Sequence, residues 1–266
     1  ACYLMRDDLL VEYGPEGALD LEVDPAAAAP LTSENLVVRA GQALWRAAGR
    51  SPGARISLVK RIPVGGGMGG GSADCAAALV ALDHLWGLRL PRRRLAGIAA
   101  SLGSDVPFFL SGGLAIGTGR GEEILPLSDP EPTWVVIAVP PVEVSTAEVF
   151  SGLAADRRWP DRGEKVYAGV REKPPRIDWA ALENDLAGPV RAGWPAVDEA
   201  LGLLGALAPM TANVTGSGAA VFAVFAGETA AREAASALPS GLRAEVVRTL
   251  RRDEAEPRIV PADRRK

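Results

Sequence analysis

The sequence predicts an α+β protein made of two domains. Its 266 residues, 48% of them hydrophobic, can bury one large core or two modest ones. Short alternating runs typical of strands and longer runs with helical spacing occur on both sides of Asp129-Pro130-Glu131-Pro132, an acidic, proline-rich stretch of the kind that separates domains. We therefore predict one domain over residues 1–130, a second over 131–250, and a charged, disordered tail over 251–266.

The amino-terminal part of the sequence is predicted to form two strands, a helix and a third strand. Residues from about Leu9 to Val23 alternate well enough for two short strands separated by a turn. A helix is predicted to begin at Ser33 or Glu34, because apolar residues then recur on one side of it, and to end at Gly49. The next strand is predicted from the alternating apolar residues Ile56, Leu58 and Ile62.

A glycine loop, residues 65–71, lies between that strand and an alanine-rich helix predicted from Ser72 to about Trp86. Six of its seven residues are glycine, so the backbone is free to adopt positive φ. The first N–H groups of a helix have no partner within it and lie at the positive end of its dipole, which favours phosphate binding. The alternative, a flexible linker, is disfavoured by the strand before the loop and by Ser72 as the predicted N-cap. The loop matches neither a Walker A sequence nor a dinucleotide fingerprint.

Two further stretches carry candidate functional residues. Asp105 precedes Pro107 and an apolar run, and from the residues alone this pattern predicts a helix N-cap. Thr211 to Phe222 alternates on both sides of Gly216-Ser217-Gly218, which predicts two strands joined by a tight turn.

The remaining elements are predicted from periodicity. Arg92, Arg93 and Arg94 are expected to form a solvated helix face without a function, and residues 154–176 to form a surface loop or insertion. The predicted helices and strands are a helix from Pro91 to Gly103, two short strands between Gly112 and Leu127, a buried strand over Trp134–Val139, helices about Val190–Arg191 and Val197–Leu207, a helix over Thr229–Leu238 and a strand over Arg243–Val247.

Composition excludes several classes of function. A net charge of −4 and a pI of about 5.3 provide no broad basic surface for nucleic acid or an anionic membrane. Two cysteines, Cys2 and Cys75, and one histidine, His84, provide neither a disulfide framework nor metal-ligand spacing. No apolar run approaches a membrane span, and no signal-peptide pattern is visible, so a cytoplasmic protein is expected. Monomer and homodimer both stay open.

Pro63 to Ser72, followed by Asp74 and the alanine-rich helix, resembles the second motif of the GHMP small-molecule kinases. Gly103-Ser104-Asp105-Val106-Pro107 is similar to the family segment that carries the catalytic aspartate, Glu183-Asn184-Asp185-Leu186 to an Asn-Asp/Asn-Leu segment of the second domain, and Thr211 to Phe222 to the third motif. Several motifs in the family's order are more specific than any one of them. The triple glycine with Ser-x-Asp behind it most resembles the branch that phosphorylates 4-diphosphocytidyl-2-C-methyl-D-erythritol in non-mevalonate isoprenoid synthesis.

The resemblance implies a fold, a reaction and a site. The fold is a ribosomal-protein-S5-like nucleotide-binding half and a ferredoxin-like half with the active site between them. The reaction is direct transfer of the ATP γ-phosphoryl group to the 2-hydroxyl of that substrate, with Asp105 as base or hydroxyl orienter. Mg²⁺ would bridge phosphate oxygens with Ser72 as a protein contact, although no set of metal ligands is predicted. Implied ATP contacts are Pro63, Val64, Gly65, Gly66, Gly67, Met68, Gly69, Gly70, Gly71, Ser72, Ala73, Asn35 and Lys60; implied substrate contacts are Asp105, Thr146, Gly216 and Ser217.

The sequence departs from the family pattern in three places. The family carries an earlier segment, with Ala-Lys-x-Asn and Gly-Tyr-His, that contributes a catalytic lysine and the cytidine contacts; those residues are not among the 266, so the chain is expected to be a fragment or to have lost them. Lys60 is too near the loop to be assumed a replacement for that lysine. Ala73 stands where the family usually has a second serine, and Cys75 replaces a small alanine as a packing residue.

Three other hypotheses stay open. The chain could be a GHMP kinase for another alcohol, such as homoserine or a mevalonate derivative, although the triple glycine and Gly-x-Asp-Val-Pro-Phe argue against it. It could bind nucleotide and be catalytically impaired; ATP binding without turnover, restored by adding the family's first strand, would indicate this. An RNA-binding module of related topology is disfavoured by the acidic pI.

Overall fold

A computed structural model describes residues 6–25, 33–153, 177–257 and 259, so the predicted loop over 154–176 and half of the predicted tail over 251–266 lie outside the described residues. The chain divides into two compact units. The four-stranded unit contains Gly65–Met68 and the described residues of Ser128–Arg251, and the three-stranded unit contains those of 6–64, Gly69–Leu127 and 252–259. Because the units interrupt one another along the chain, the domain limits of 130 and 250 remain predictions.

The three-stranded unit is built on a mixed sheet. Its strands are β1 (Asp8–Gly14), β2 (Leu19–Asp24) and β3 (Gly53–Val59), in the order β1-β3-β2. β1 runs antiparallel to β3 and β2 runs parallel to it. The two predicted amino-terminal strands are therefore confirmed, and each pairs with β3 rather than with the other.

Helices and a hairpin pack with this sheet. They are α1 (Leu36–Ala48), α2 (Gly70–Leu85), α3 (Arg92–Leu102), α4 (Val106–Ser111), and the antiparallel strands β4 (Ala115–Thr118) and β5 (Glu123–Pro126). The core between the sheet and α1 and α2 contains Leu44, Ile56, Leu58, Leu79 and Leu82, all at most 2% exposed. Helical and alternating apolar spacing predicted these elements because each has one side to bury.

The start of α1 differs from the prediction. Asn35, rather than Ser33 or Glu34, occupies the N-cap, and its Oδ1 accepts a 2.9 Å hydrogen bond from the N–H of Val37. The helix ends at Gly49 in the left-handed conformation, as predicted. The prediction was wrong because three consecutive residues could each serve as a cap, and only the folded chain selects one.

The four-stranded unit has an antiparallel sheet covered by helices. Its strands are β6 (Trp134–Val139), β7 (Thr211–Val214), β8 (Val221–Phe225) and β9 (Arg243–Arg248), in the order β7-β8-β6-β9. Its described α-helices are α5 (Thr146–Ser151), α6 (Ala187–Gly193), α7 (Pro195–Gly205) and α8 (Glu228–Ala237), and Trp179–Ala181 forms a short 3-10 helix. Val136, Val149, Val197, Leu204 and Val221 are fully buried in the core. The predicted packing of helices on an antiparallel sheet is confirmed.

The predicted disordered tail is wrong for its first residues. Arg252–Ala255 forms a short helix, α9, that belongs to the three-stranded unit. Composition suggested disorder because this stretch offers little apolar surface to bury, whereas it is held by polar contacts instead. Within the described ranges, no helix is long and apolar enough to cross a membrane.

Candidate functional site

The helix behind the glycine loop begins two residues earlier than predicted. α2 starts at Gly70 with Gly69 at the N-cap position, where φ is 72° and no side chain caps the helix. The prediction that Ser72 is the N-cap is therefore wrong: a glycine that adopts the left-handed conformation ends the loop first, and Ser72 lies in the first turn. The first N–H to bond back into the helix is that of Ala73, to the carbonyl of Gly69 at 2.9 Å. The N–H groups before it are without intrahelical partners, at the positive end of the dipole.

At two positions of the loop, both the backbone conformation and the space around it favour glycine. Gly67 and Gly69 have φ of 69° and 72°, a conformation that other residues rarely adopt. A Cβ on Gly67 would lie 2.3 Å from the carbonyl oxygen of Thr215, and a Cβ on Gly69 would lie 2.7 Å from the ring of Phe109. The loop is thus a closely packed backbone turn rather than a flexible linker.

Within the four-stranded unit, the first part of the loop is bound to the β7–β8 hairpin. The carbonyls of Gly65 and Gly66 accept hydrogen bonds from the N–H groups of Ala219 and Ala220, at 3.1 and 3.2 Å. The hydroxyl of Thr215, a buried residue, donates to the same Gly66 carbonyl at 2.6 Å. Because the C=O and N–H of one peptide point in opposite directions, the N–H groups that follow these carbonyls point away from the hairpin. The backbone N–H groups of Gly66 and Gly67 are therefore not used by the hairpin.

In the three-stranded unit, a buried ion triad ties the two stems of the loop together. The Lys60 ammonium, on a side chain 4% exposed, donates to the carboxylates of Asp7 and Asp74, to Asp74 at 2.7 Å. Asp7 also accepts the N–H groups of Arg61 and Ile62, at 2.5 and 2.9 Å. The triad therefore joins the residues that follow β3 to the first turns of α2. The Lys60 ammonium is directed to these two carboxylates, and its contact with a nucleotide remains a prediction.

The triad has an unusual charge balance. Two carboxylates share one ammonium, and burial penalises the charged form of Asp74. The pKa of Asp74 is raised to about 7: burial is the largest cause, the Lys60 ammonium opposes the rise, and the negative charge of Asp7 adds to it. Next along the helix, burial raises the pKa of the Cys75 thiol to about 12, so this thiol is an unreactive packing group.

Asp105 is exposed at the beginning of α4. It occupies the N-cap position, and its carboxylate makes no capping hydrogen bond. Asn35, by contrast, caps α1 with its side chain. The predicted N-cap position of Asp105 is therefore confirmed, but its side chain does not cap the helix, and its carboxylate is not committed to the helix it precedes. The same helix supplies Phe109, whose ring packs on Gly69, so α4 lies beside the amino terminus of α2 within one unit.

The predicted substrate residues of the four-stranded unit lie together. The hydroxyls of Thr146 and Ser217 are 2.9 Å apart. Asn184, which was not predicted as a site residue, donates from Nδ2 to the carbonyls of Gly216 at 2.8 Å and Val214 at 3.0 Å. Its signal in the sequence was the resemblance of Glu183 to Leu186 to a family segment. Asn184 thus holds the turn that presents Ser217.

Asn35, a predicted base contact, and Thr215, which was not predicted, both make hydrogen bonds in the structure. Asn35 is 7% exposed and uses Oδ1 as a cap, so its predicted contact with a base stays a prediction. Thr215, which sequence reasoning missed, contacts the glycine loop directly. A single threonine at the end of a strand carries no signal of that contact, because its partner lies 149 residues away.

Two family profiles match the sequence. The one described as GHMP kinases N terminal domain matches residues 35–113, and the one described as GHMP kinases C terminal matches residues 176–244. The matched residues include the glycine loop, Asp105, Asn184 and the β7–β8 hairpin, whereas Thr146 and Arg252 lie outside them.

Curated relatives are similar over most of the chain. The 4-diphosphocytidyl-2-C-methyl-D-erythritol kinase of Salinispora tropica is 41% identical over 241 residues, which are 88% of this chain and 76% of the relative. The protein of the same name from Shewanella piezotolerans is 40% identical over 216 residues, 81% of this chain and 72% of the relative.

Solved structures share the fold. A crystal structure of 4-(cytidine 5'-diphospho)-2C-methyl-D-erythritol kinase has a TM-score of 0.75 and 34% identity, and the match covers 92% of this chain and 87% of that one. Homoserine kinase from Cytophaga hutchinsonii has a TM-score of 0.73 at 18% identity over 92% and 85%, which shows the fold alone. The predicted fold class is confirmed by these likenesses.

Proposed function

The chain belongs to the GHMP kinase family, and on this premise we propose that it transfers the γ-phosphoryl group of ATP to the 2-hydroxyl of 4-diphosphocytidyl-2-C-methyl-D-erythritol. Relatives 40–41% identical carry the name of that kinase, and so does a solved structure 34% identical. The observation that supports ATP binding most strongly is the uncapped amino terminus of α2 behind a loop that favours glycine at positions 67 and 69.

The triphosphate is assigned first to the backbone N–H groups of Gly70, Gly71 and Ser72. These groups have no intrahelical partner, and a helix amino terminus favours an anion through its dipole and its free donors. Fixed donors stabilise the charge that develops in phosphoryl transfer without having to reorganise. The other predicted ATP contacts, Pro63 to Gly69, Ala73, Asn35 and Lys60, remain predictions of the same proposal.

A magnesium ion at this site would be held mainly by the phosphates of ATP rather than by protein side chains. When bound, Mg²⁺ would neutralise part of the phosphate charge that the chain's own N–H groups also stabilise. Among the residues that the structure describes, no three His, Cys, Asp or Glu side chains are grouped to hold a metal. The chain's own contribution is then limited to a group such as the half-buried Ser72 hydroxyl in the first turn of α2.

Asp105 is proposed to accept the proton of the attacking hydroxyl or to orient it. Its carboxylate is exposed and makes no capping bond, so it can serve a substrate group. Phosphoryl transfer depends mostly on positioning and charge stabilisation, so a carboxylate in a fixed place contributes chiefly by orientation.

The paired hydroxyls of Thr146 and Ser217 are proposed to contact the substrate, together with the backbone of Gly216. Each hydroxyl can both donate and accept a hydrogen bond, which suits a polyol substrate. Asn184 would keep this group in place by holding the carbonyl of Gly216. In this role Asn184 is a positioning residue.

A turnover assay tests the proposal. The chain is incubated with Mg-ATP and 4-diphosphocytidyl-2-C-methyl-D-erythritol, ADP release is followed, and the product is identified by ³¹P NMR. We expect ADP release that depends on this substrate and is absent with homoserine or mevalonate. Asp105→Asn should lower kcat by roughly 100-fold or more, while the Kd of AMP-PNP changes little.

Asp20→Asn is the matched control, because Asp20 is an exposed aspartate on β2 of the same unit. It should leave both kcat and Kd unchanged. ADP release with homoserine, or a D105N variant as active as D20N, would contradict the proposal.

A further inference from the structure

α4 is a short helix whose carboxyl-terminal carbonyls need partners. It has six residues, and the last carbonyl groups of a helix find no N–H donor within the helix itself. The chain turns sharply after it, with Gly112 at φ 61°. Asp105 stands at the opposite end of this helix, so the orientation of α4 fixes where the proposed catalytic carboxylate is placed.

Arg252 supplies those partners from the far end of the chain. Its Nη1 donates to the carbonyls of Ser111 at 3.0 Å and Gly112 at 2.7 Å, and to the Ser111 hydroxyl at 2.7 Å. Its Nη2 donates to the carbonyls of Leu114 and Leu127, both at 2.9 Å. One planar guanidinium thus joins the end of α4 to the segments on either side of the β4–β5 hairpin. A cation in this position also complements the negative end of the helix dipole.

Two independent contacts dock the segment that carries Arg252. A Cβ on Gly112 would lie 2.8 Å from the Cβ of Ala255, so α9 approaches this backbone as closely as a glycine permits. Arg92 bridges the two segments, since its Nη2 donates to the Leu110 carbonyl at 2.8 Å and to Glu256 at 3.1 Å. Arg92 therefore has a contact role that its predicted solvated face did not include.

We propose that Arg252 is a positioning residue for the phosphoryl transfer: by holding the carboxyl-terminal end of α4 against the β4–β5 hairpin, it keeps Asp105 in one orientation. The anchoring of α4 is a structural claim by itself, and its catalytic consequence rests on the proposed function. Arg252 lies beyond residue 244, where the match to the family profile ends. Guanidinium is suited to this task because its fork reaches separate carbonyls at once, which a single ammonium cannot do.

Amide hydrogen exchange tests the anchoring without any turnover. Arg252→Ala in the full chain should raise exchange of the amides in residues 108–127 by roughly 10- to 100-fold, because charge-assisted hydrogen bonds that oppose local opening are lost. Arg251→Ala is the matched control: the neighbouring arginine pairs with Glu131 at 2.9 Å in the four-stranded unit and should leave this exchange unchanged. Equal exchange in R252A and wild type, or an equal rise in R251A, overturns the proposal.

A conservative variant covers the case in which R252A does not fold. Arg252→Lys keeps a cation that can reach the carbonyls of Ser111 and Gly112 but not those of Leu114 and Leu127 as well. It should raise exchange in residues 114–127 more than in 108–112. Protection equal to that of wild type in both segments would show that the fork is not required, which overturns the proposal.

Kinetics test the catalytic consequence. R252A should lower kcat by roughly 10- to 100-fold, as expected for a small misplacement of a catalytic group, with a smaller change in KM for ATP. Added guanidinium ion should restore part of kcat in R252A and should not act on wild type. Faster exchange with an unchanged kcat would overturn the positioning role. A wild-type chain without turnover would refute the proposed function, whereas the exchange result would still decide the anchoring.

Discussion

Lys60 donates a 2.7 Å hydrogen bond to Asp74 between the two stems of the glycine loop, and both side chains are buried. The pair is fourteen residues apart in sequence and brackets the loop between β3 and α2. With Asp7 as a second acceptor, the ammonium lies between two carboxylates. The geometry of the phosphate-binding turn therefore depends on a buried charge arrangement as well as on glycine.

Removal of the Lys60 charge should destabilise the protein strongly. Lys60→Met leaves two carboxylates buried without their cation, and breaking a buried ion pair in this way costs about 3–5 kcal/mol. Urea unfolding of K60M and wild type measures the difference in the free energy of unfolding. The double variant K60M/D74N should recover part of the loss because one of the two charges is gone. A loss under about 1 kcal/mol in K60M would contradict the importance of the triad.

Asp74 should make stability fall as the pH rises from about 4 to about 7. The pKa of this carboxyl is about 7 in the folded protein, against an ordinary value near 3.8 that applies to the unfolded chain. Between those values the folded state binds more protons than the unfolded state, so the contribution of Asp74 to the free energy of unfolding decreases with pH. The difference in stability between wild type and Asp74→Asn, measured by urea unfolding at several pH values, should therefore shift against wild type over this window. Parallel profiles for the two proteins would contradict the raised pKa.

Gly67→Ala should abolish tight nucleotide binding. The new Cβ would lie 2.3 Å from the Thr215 carbonyl, and the backbone conformation is unfavourable to alanine, so the turn must change shape. We expect the Kd of AMP-PNP to rise by roughly 10-fold or more. Gly87→Ala is the control, because Gly87 has a similar φ of 64° but no atom within 4 Å of the added Cβ. G87A should lose stability from backbone strain and keep its affinity; an equal loss of affinity in both variants would contradict the prediction.

Thr215→Val should weaken the contact between the hairpin and the loop without changing the shape of the side chain. The buried hydroxyl donates to Gly66 at 2.6 Å, and the loss of one such hydrogen bond costs about 0.5–1.5 kcal/mol. The Kd of AMP-PNP should rise as well, because Gly66 belongs to the glycine loop that precedes the proposed phosphate donors in the chain. Thr215→Ser retains the hydroxyl and should stay close to wild type in both measurements. A T215V protein as stable and as tight as T215S would show that the contact is unimportant.

The sequence was sufficient to predict the helices and strands whose signal comes from neighbouring residues. The helical spacing of apolar residues predicted α1, an uninterrupted apolar run predicted β6, and the resemblance of Gly103 to Pro107 to a family segment singled out Asp105. The predicted helix starts were wrong where several neighbouring residues could begin the helix, as at Asn35. They were also wrong where the left-handed conformation of a glycine sets the start, as at Gly69. Such choices depend on a few tenths of a kcal/mol between neighbouring caps.

Contacts between distant residues could not be predicted. Asp7 lies 53 residues before Lys60, Asn184 lies 32 residues before Gly216, and Arg252 lies up to 141 residues after its partners. None of these residues has a local pattern that indicates its partner, since a single charged or polar residue is usually solvated. The chain's packing determines them, and only the structure shows which are buried and paired.

Phosphate binding at the amino terminus of α2 is the central feature of the proposed reaction. A crystal structure of the chain with AMP-PNP and Mg²⁺ tests this claim directly. Phosphate oxygens should lie within hydrogen-bond distance, about 2.7–3.2 Å, of the N–H groups of Gly70, Gly71 and Ser72. A nucleotide bound elsewhere, with these three N–H groups facing solvent, would contradict phosphate binding at this helix terminus.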